Sequence, residues 1–270
     1  MRRKFTKAIR KTGGVQRSAV RPSPVFFGIL AVTVIGGVIA SLGDETGVVD
    51  RDPLMVLGVF LLVIGGWVAS LTLHEFGHAL VAYKGGDYSI AHKGYLTMDV
   101  RKYTDPVLSI LLPLLFLAIG GIPLPGGAVW INRGALRSRA TSSWVSLAGP
   151  LSNLAIGVVL TLITSLVTLP VGLAVGLSYL ALLQIVTFIL NILPVPGLDG
   201  YGAIEPYLSP DARELGAKAR PWAPLVLFAL LFAVPSASTT LWNGAFYLFN
   251  VVGGDEFYAQ AGQYVVMFWR

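Results

Sequence analysis

Residues 71–80 read LTLHEFGHAL and close an apolar run that begins at Leu54. The chain holds 3 histidines in 270 residues, and this stretch takes two of them together with Glu75. Four apart on a helix, His74 and His78 project from one face, one turn above the other. That spacing puts two ring nitrogens at two corners of a tetrahedral zinc site. Glu75 falls one residue on, beside such a metal rather than on it, where it can take a proton from water. Gly77 leaves room for another helix or a substrate backbone. Side chains that merely knit helices together would leave Glu75 unpaired in hydrocarbon, and ionisable groups at that depth are costly and functional by default.

The rest of the chain says that the setting is a membrane. Hydrophobic residues make up 54% and charged residues 13%, against about a quarter charged in soluble domains. The mean hydropathy is +0.71, and the apolar residues come in blocks long enough to cross a bilayer. The expected fold is an all-α polytopic membrane protein. The net charge of +6 does not point to nucleic acid, because it is concentrated at one end. Arg2, Arg3, Lys4, Lys7, Arg10, Lys11, Arg17 and Arg21 precede the first span with no acid among them. A basic tail abutting an apolar run is the cytoplasmic flank of the positive-inside bias, and it suits anionic lipid. The first span is longer than a signal-peptide core, so a retained anchor is expected. With no cysteine, disulfides and thiolate metal sites are excluded.

Spans are expected at 25–42, 54–83, 144–169 and 171–193. An acidic loop with Asp44, Glu45, Asp50 and Asp52 follows the first and is read as external. Lys84, Lys93, Arg101 and Lys102 after the second belong inside. Between them GYLTMDV, residues 94–100, alternates apolar and polar positions, which predicts a short strand. Residues 105–131 have an apolar core of roughly 15 residues, short of the about 20 that a crossing needs. Pro113 interrupts that core, Gly120, Gly121, Pro123 and Pro125 close it, and Arg133, Arg137 and Arg139 prefer the inside. It reads as a re-entrant element, tolerated at membrane depth only where protein or water surrounds it. The last apolar blocks, 225–234 and 241–252, are two short crossings or one crossing plus a surface helix. The sum is about five to six transmembrane helices with a re-entrant element and a short β-like loop near the active site. The expected division is a basic cytoplasmic tail (1–22), a membrane-embedded domain (23–253, catalytic core about 54–201) and an interfacial tail (254–270).

A catalytic zinc usually takes three protein ligands. His92, beside Lys93 in a polar loop, reads as an ordinary solvated histidine. From Trp144 to Leu198 there is no charged residue, and the first one met is Asp199, in NILPVPGLDG (191–200). Pro194, Pro196 and Gly197 break the helix there, and Gly200 permits a sharp turn. With the tail inside, His74 lies about 30 Å along the second span, near the cytosolic side. Asp199 reaches that depth only if 105–131 makes no net crossing, which agrees with the re-entrant reading.

These pieces closely resemble the site-2 protease family of intramembrane zinc metalloproteases. The matching residues are HEFGH, the NILPVPGLDG segment on the family's N-x-x-P-x-x-x-x-D-G pattern, and LAGPLSNL (147–154). The resemblance covers roughly 54–201. It implies one zinc per chain held by His74, His78 and Asp199, with Glu75 as general base. It also implies Asn191 lining the site on substrate or oxyanion, and GGAVWI, with Gly126 and Gly127, as a glycine-containing loop nearby. The substrate implied is a transmembrane protein cut within the bilayer, in a multi-pass protein of a prokaryotic plasma membrane with its N-terminus cytoplasmic. No PDZ-like insert and no nucleotide-sensing domain are evident, so regulation by such modules is not implied. The alternatives are a transporter moving protons or metal through the His/Glu cluster, a prenyl-protein type membrane protease, and an idle scaffold. The second would need further Glu/His motifs that the histidine count does not allow.

Overall fold

The computed structural model describes residues 20–43, 45–103 and 129–269. The expected basic tail lies outside them except at its end. The expected re-entrant element also lies outside them, Gly126 and Gly127 included, with only Val129, Trp130 and Ile131 described.

Helix α1 (Pro24–Ala40) starts where Ser23 accepts the Phe26 N–H and Pro24 presets the first turn. Helix α2 (Pro53–Gly85) starts in the same way from Asp52, which accepts the Met55 N–H, and stops at Gly86, whose φ is +123°. Its 33 residues extend about 50 Å, more than the bilayer core of about 30 Å. The two helices form an antiparallel pair with backbones in contact. A Cβ at Gly36 would fall on the backbone of Leu61 and Leu62, and one at Gly58 on that of Ile39 and Ala40. Small residues at such crossings allow the close approach by which helices associate in lipid.

Helix α3 (Arg139–Leu166) is capped by Ser138 and contains Pro150. Helix α4 (Val171–Ile192) follows after the break at Pro170. The two differ in position: 78% of the apolar window of α4 is buried, against 28% for α3. α4 is therefore the central rod, and α3 exposes Leu151, Val159, Leu162 and Ile163 outward. Beyond α4 come α5 (Asp199–Ile204), α6 (Pro210–Ala219), α7 (Ala223–Ala233), α8 (Pro235–Val251) and α9 (Glu256–Val266). α6 and α7 meet at a 60° bend.

Three apolar clusters hold the bundle. Met55, Val59, Val63 and Trp67 of α2 meet Val175, Tyr179 and Leu183 of α4, together with Val265 and Val266 of α9. On its other face α4 sets Leu182, Ile185 and Val186 against Phe228 and Leu231 of α7 and Phe249 of α8. At the other end of α2, Ala79, Ala82 and Tyr83 pack with Tyr95, Leu96, Tyr103 and Val145. The C-terminal segment is thus docked on the bundle. Arg51 lies 3.9 Å over the Tyr264 ring and donates to the Phe268 carbonyl at 3.1 Å.

Among the described residues, three helices (α2, α3 and α4) are long and apolar enough to cross a membrane, or four if bent α6–α7 is one span. The expected five to six is a larger number. α1, at 17 residues, is about 25 Å long, at the short end of what a crossing takes. The expected strand at GYLTMDV is corrected to two 3-10 turns, Tyr95–Thr97 and Val100–Lys102. Gly94 at φ +76° and Met98 at φ +50° turn the chain instead of extending it. Tyr103 then folds back to donate to the Tyr95 carbonyl at 3.0 Å. The alternation does not follow burial either: Tyr95, Leu96, Asp99 and Val100 are buried, and Thr97 and Met98 are half-buried.

Candidate metal centre

Three elements converge near the end of α2. His74, Glu75 and His78 are all buried. α3 crosses them with its backbone against theirs. A Cβ at Gly77 would stand 3.0 Å from the Ala148 carbonyl, and one at Gly149 would fall on the Nε2 atoms of both histidines. The glycine of LAGPLSNL therefore keeps open the space that the two nitrogens face.

The third element is the turn after α4. Gly197, at φ +102°, turns the chain, and Leu198 is extended before α5 begins at Asp199. Gly200 lies so close to the end of α4 that a Cβ would fall on the Ile192 and Leu193 carbonyls. This tight return brings Asp199 Oδ2 to 3.2 Å from His74 Nε2 and 3.4 Å from His78 Nε2. One ligand atom from each of the three residues lies within 4.8 Å of the others.

Hydrogen bonds behind the rings decide what those nitrogens can do. Asn153 Nδ2 donates to Gln184 Oε1 at 2.7 Å, which leaves Asn153 Oδ1 to accept from His74 Nδ1. His78 Nδ1 donates to the Val145 carbonyl at 2.6 Å. Both protons thus sit on Nδ1, and both Nε2 atoms present lone pairs. The two Nε2 atoms are 3.0 Å apart, so two acceptors and a carboxylate face one another with no donor between them. Such a set repels itself unless a cation lies at its centre, and two imidazoles plus a carboxylate suit zinc. The residues present fit that ion.

Glu75 stands beside this group. The Val129 backbone N–H donates to its carboxylate, and Oε2 has no hydrogen-bond partner among the described residues. A cavity of about 330 Å³ opens there, lined by His74, Glu75, His78, Asn191 and Asp199, with Trp67 and Phe228 as apolar walls. Asn191, in the last turn of α4, donates to the Thr187 carbonyl at 3.1 Å.

The structure thus brings together Glu75, His74, His78, Asp199 and Asn191; Gly126 and Gly127 lie outside the described residues. His92 is exposed, as expected. Asn153 and Gln184 hydrogen-bond helix to helix, and sequence reasoning missed that Asn153 also sets the His74 tautomer. It missed Asp87 altogether. This buried carboxylate accepts from the Ser89 N–H at 3.1 Å, the Ser89 hydroxyl at 2.6 Å and the Asn132 N–H at 2.7 Å. It thereby ties the chain after Val129 to the end of α2. An aspartate after two glycines carries no signal for such a bond.

Known proteins bear on this geometry. The chain is 44% identical over 256 residues to a Mycobacterium tuberculosis protein named "Putative zinc metalloprotease Rip2", covering 94% of this chain and 96% of that protein. A Mycolicibacterium smegmatis protein of the same name is 41% identical over 255 residues, with the same two coverages. "Putative zinc metalloprotease YwhC" of Bacillus subtilis is 33% identical over 201 residues, 70% of this chain and 87% of that protein. No family model and no solved structure matches the chain. With apolar helices long enough for a membrane and these relatives, the protein is a zinc metalloprotease of the membrane. Within that class, the chain belongs to the site-2 protease family.

Proposed function

We propose that this protein is an intramembrane zinc endopeptidase that hydrolyses a peptide bond within or near the transmembrane segment of another membrane protein, as in regulated intramembrane proteolysis. One observation carries the reading: three convergent acceptor atoms, and a carboxylate oxygen without a partner among the described residues, face one cavity inside an apolar bundle. His74, His78 and Asp199 hold the metal. A zinc ion bound there supplies Lewis acidity to a carbonyl oxygen and to water.

The protein's own groups do the rest. Glu75 Oε2 takes a proton from the attacking water and returns it to the leaving amine nitrogen. Asn153 and Val145 keep the protons on Nδ1 of the two rings, so both Nε2 atoms remain ligands. Asn191 holds the substrate or its developing oxyanion. A substrate helix satisfies its own backbone, so it must unwind before it is cut. Edge-strand pairing with Ala128 to Ile131 then takes up the exposed backbone groups. The basic tail orients the N-terminus to the cytoplasm, which puts the metal centre near the cytosolic side.

Along α2 the transporter reading finds no polar path above the site. Ser70 and Thr72 donate to the carbonyls of Trp67 and Val68 in their own helix, and the α2 residues buried beyond them are apolar. The deciding experiment is purified protein with a labelled transmembrane peptide, assayed with and without a zinc chelator and beside Glu75→Gln. The expected result is cleavage that chelation stops and the variant loses by at least about 100-fold, with zinc retained. Full proteolysis by Glu75→Gln overturns the base assignment, and metal uptake into proteoliposomes without cleavage overturns the function.

A further inference from the structure

Beside the metal cavity a second cleft, of about 470 Å³, opens between the start of α3 and the α5–α6 region. Its walls carry four arginines, Arg133, Arg139, Arg213 and Arg220, against a single acid, Glu205. That acid is already engaged. Arg220 Nη2 donates to Oε1 at 2.8 Å, and Arg133 Nη1 lies 3.6 Å from Oε2. Arg139 and Arg213 meet no acceptor among the described residues. Four guanidinium groups are thus gathered round a concavity, and one carboxylate cannot neutralise them.

The depth of the cleft follows from its surroundings. Trp144, Tyr207 and Trp222 are each more than half exposed. They stand five residues past Arg139, one past Pro206 and two past Arg220 in the chain. Aromatic residues of this kind mark the level where a membrane meets water. Past Trp144, the exposed face of α3 is apolar, with Leu151, Val159 and Leu162. The arginines therefore lie at headgroup level, with hydrocarbon-facing surface directly beyond them. Basic pockets between membrane helices hold lipid headgroups, and the guanidinium fork matches phosphate oxygens.

We propose that this cleft binds the phosphate of an anionic phospholipid. Arg139 and Arg213 supply the charge that no group among the described residues meets, and the acyl chains run down the apolar face of α3. Arg133 makes the site matter for the metal centre, because it lines both cavities. Its guanidinium donates to Ser142 Oγ at 3.0 Å and Ser146 Oγ at 3.3 Å. A bound lipid phosphate fixes that shared wall.

The test reads binding directly, so it stands whether or not the protein is a protease. The full chain is placed in nanodiscs of phosphatidylcholine with or without phosphatidylglycerol, extracted, and weighed by native mass spectrometry. Retained phosphatidylglycerol is expected on the native protein. The double variant Arg139→Gln/Arg213→Gln should hold it about 10- to 30-fold less tightly, with zinc content and melting temperature unchanged to show that it folds. Equal retention by the variant, or retention of phosphatidylcholine as readily, overturns the proposal. Displacement of the lipid by millimolar inorganic phosphate overturns it in favour of a soluble anion. Displacement by a peptide with acidic residues beside its transmembrane segment overturns it in favour of a substrate contact.

Discussion

Along α2, the stretch from Pro53 to Trp67 and the stretch from Ser70 to Gly85 solve different packing problems. The first lies on α1 backbone to backbone, through Gly58 and Gly65, and buries Met55, Val59 and Val63. Its interface is a matter of shape. The second buries Thr72, His74, Glu75 and His78, and every polar partner of the two rings comes from elsewhere: Asn153 and Val145 on α3, and Asp199 on α5. The first half makes the rod rigid, and the second uses that rigidity to hold two nitrogens in register. Damage to the first should therefore cost stability, and damage to the second chemistry.

The comparison can be broken most sharply at the proposed ligands. Asp199→Asn removes the negative charge that offsets the cation and should reduce bound zinc and cleavage by at least about 100-fold. Elemental analysis of the purified protein beside the peptide assay checks this, and full zinc content would place the metal elsewhere. Gly149→Val leaves every ligand present but fills the space before both Nε2 atoms. It should also strip the metal, and the overpacking against two buried rings should lower stability by about 1–3 kcal/mol. Asn153→Leu removes the acceptor that sets the His74 ring, with an expected 10- to 100-fold loss in metal affinity or activity. Competition with a chromogenic chelator measures it, and unchanged affinity would reduce Asn153 to helix packing.

In the other half the effects should be on folding alone. Gly58→Val drives a side chain into the Ala40 backbone and should destabilise by about 1–3 kcal/mol. Zinc content and the activity of the folded fraction should not change, which a denaturation series in detergent with parallel metal analysis would show. Ser70→Ala, at the boundary, removes only a bond to its own helix and should change stability by about 1 kcal/mol or less. A measurable loss of zinc there would show that the two halves are not separable.

How much could be read in advance depended on distance along the chain. His74, Glu75 and His78 are neighbours on one helix, so their spacing spoke for itself. Asp199 was reached because charges are absent from the two spans before it and because the topology demanded its depth. Asn153 stood only as one letter of LAGPLSNL, and nothing local said which of its two amide ends would face a ring. GYLTMDV misled because Gly94 and Met98, both left-handed, decided the backbone, and the alternation of the segment carried no sign of them. Asp87 carried no signal and Arg133 marked only its side of the membrane, since each acts on groups brought to it by chain that returns from elsewhere.

By itself the sequence determined the apolar rods, the basic end of the chain, and the paired imidazoles with their neighbouring carboxylate. Each of these is set by side-chain polarity and helical repeat within a few turns. Only the tertiary structure decided which ring nitrogens carry the protons, which glycine keeps their space open, and where the arginines gather. The bond between His74 and Asn153 joins residues 79 apart, and no local pattern of polarity encodes a contact that exists only once α3 has crossed α2.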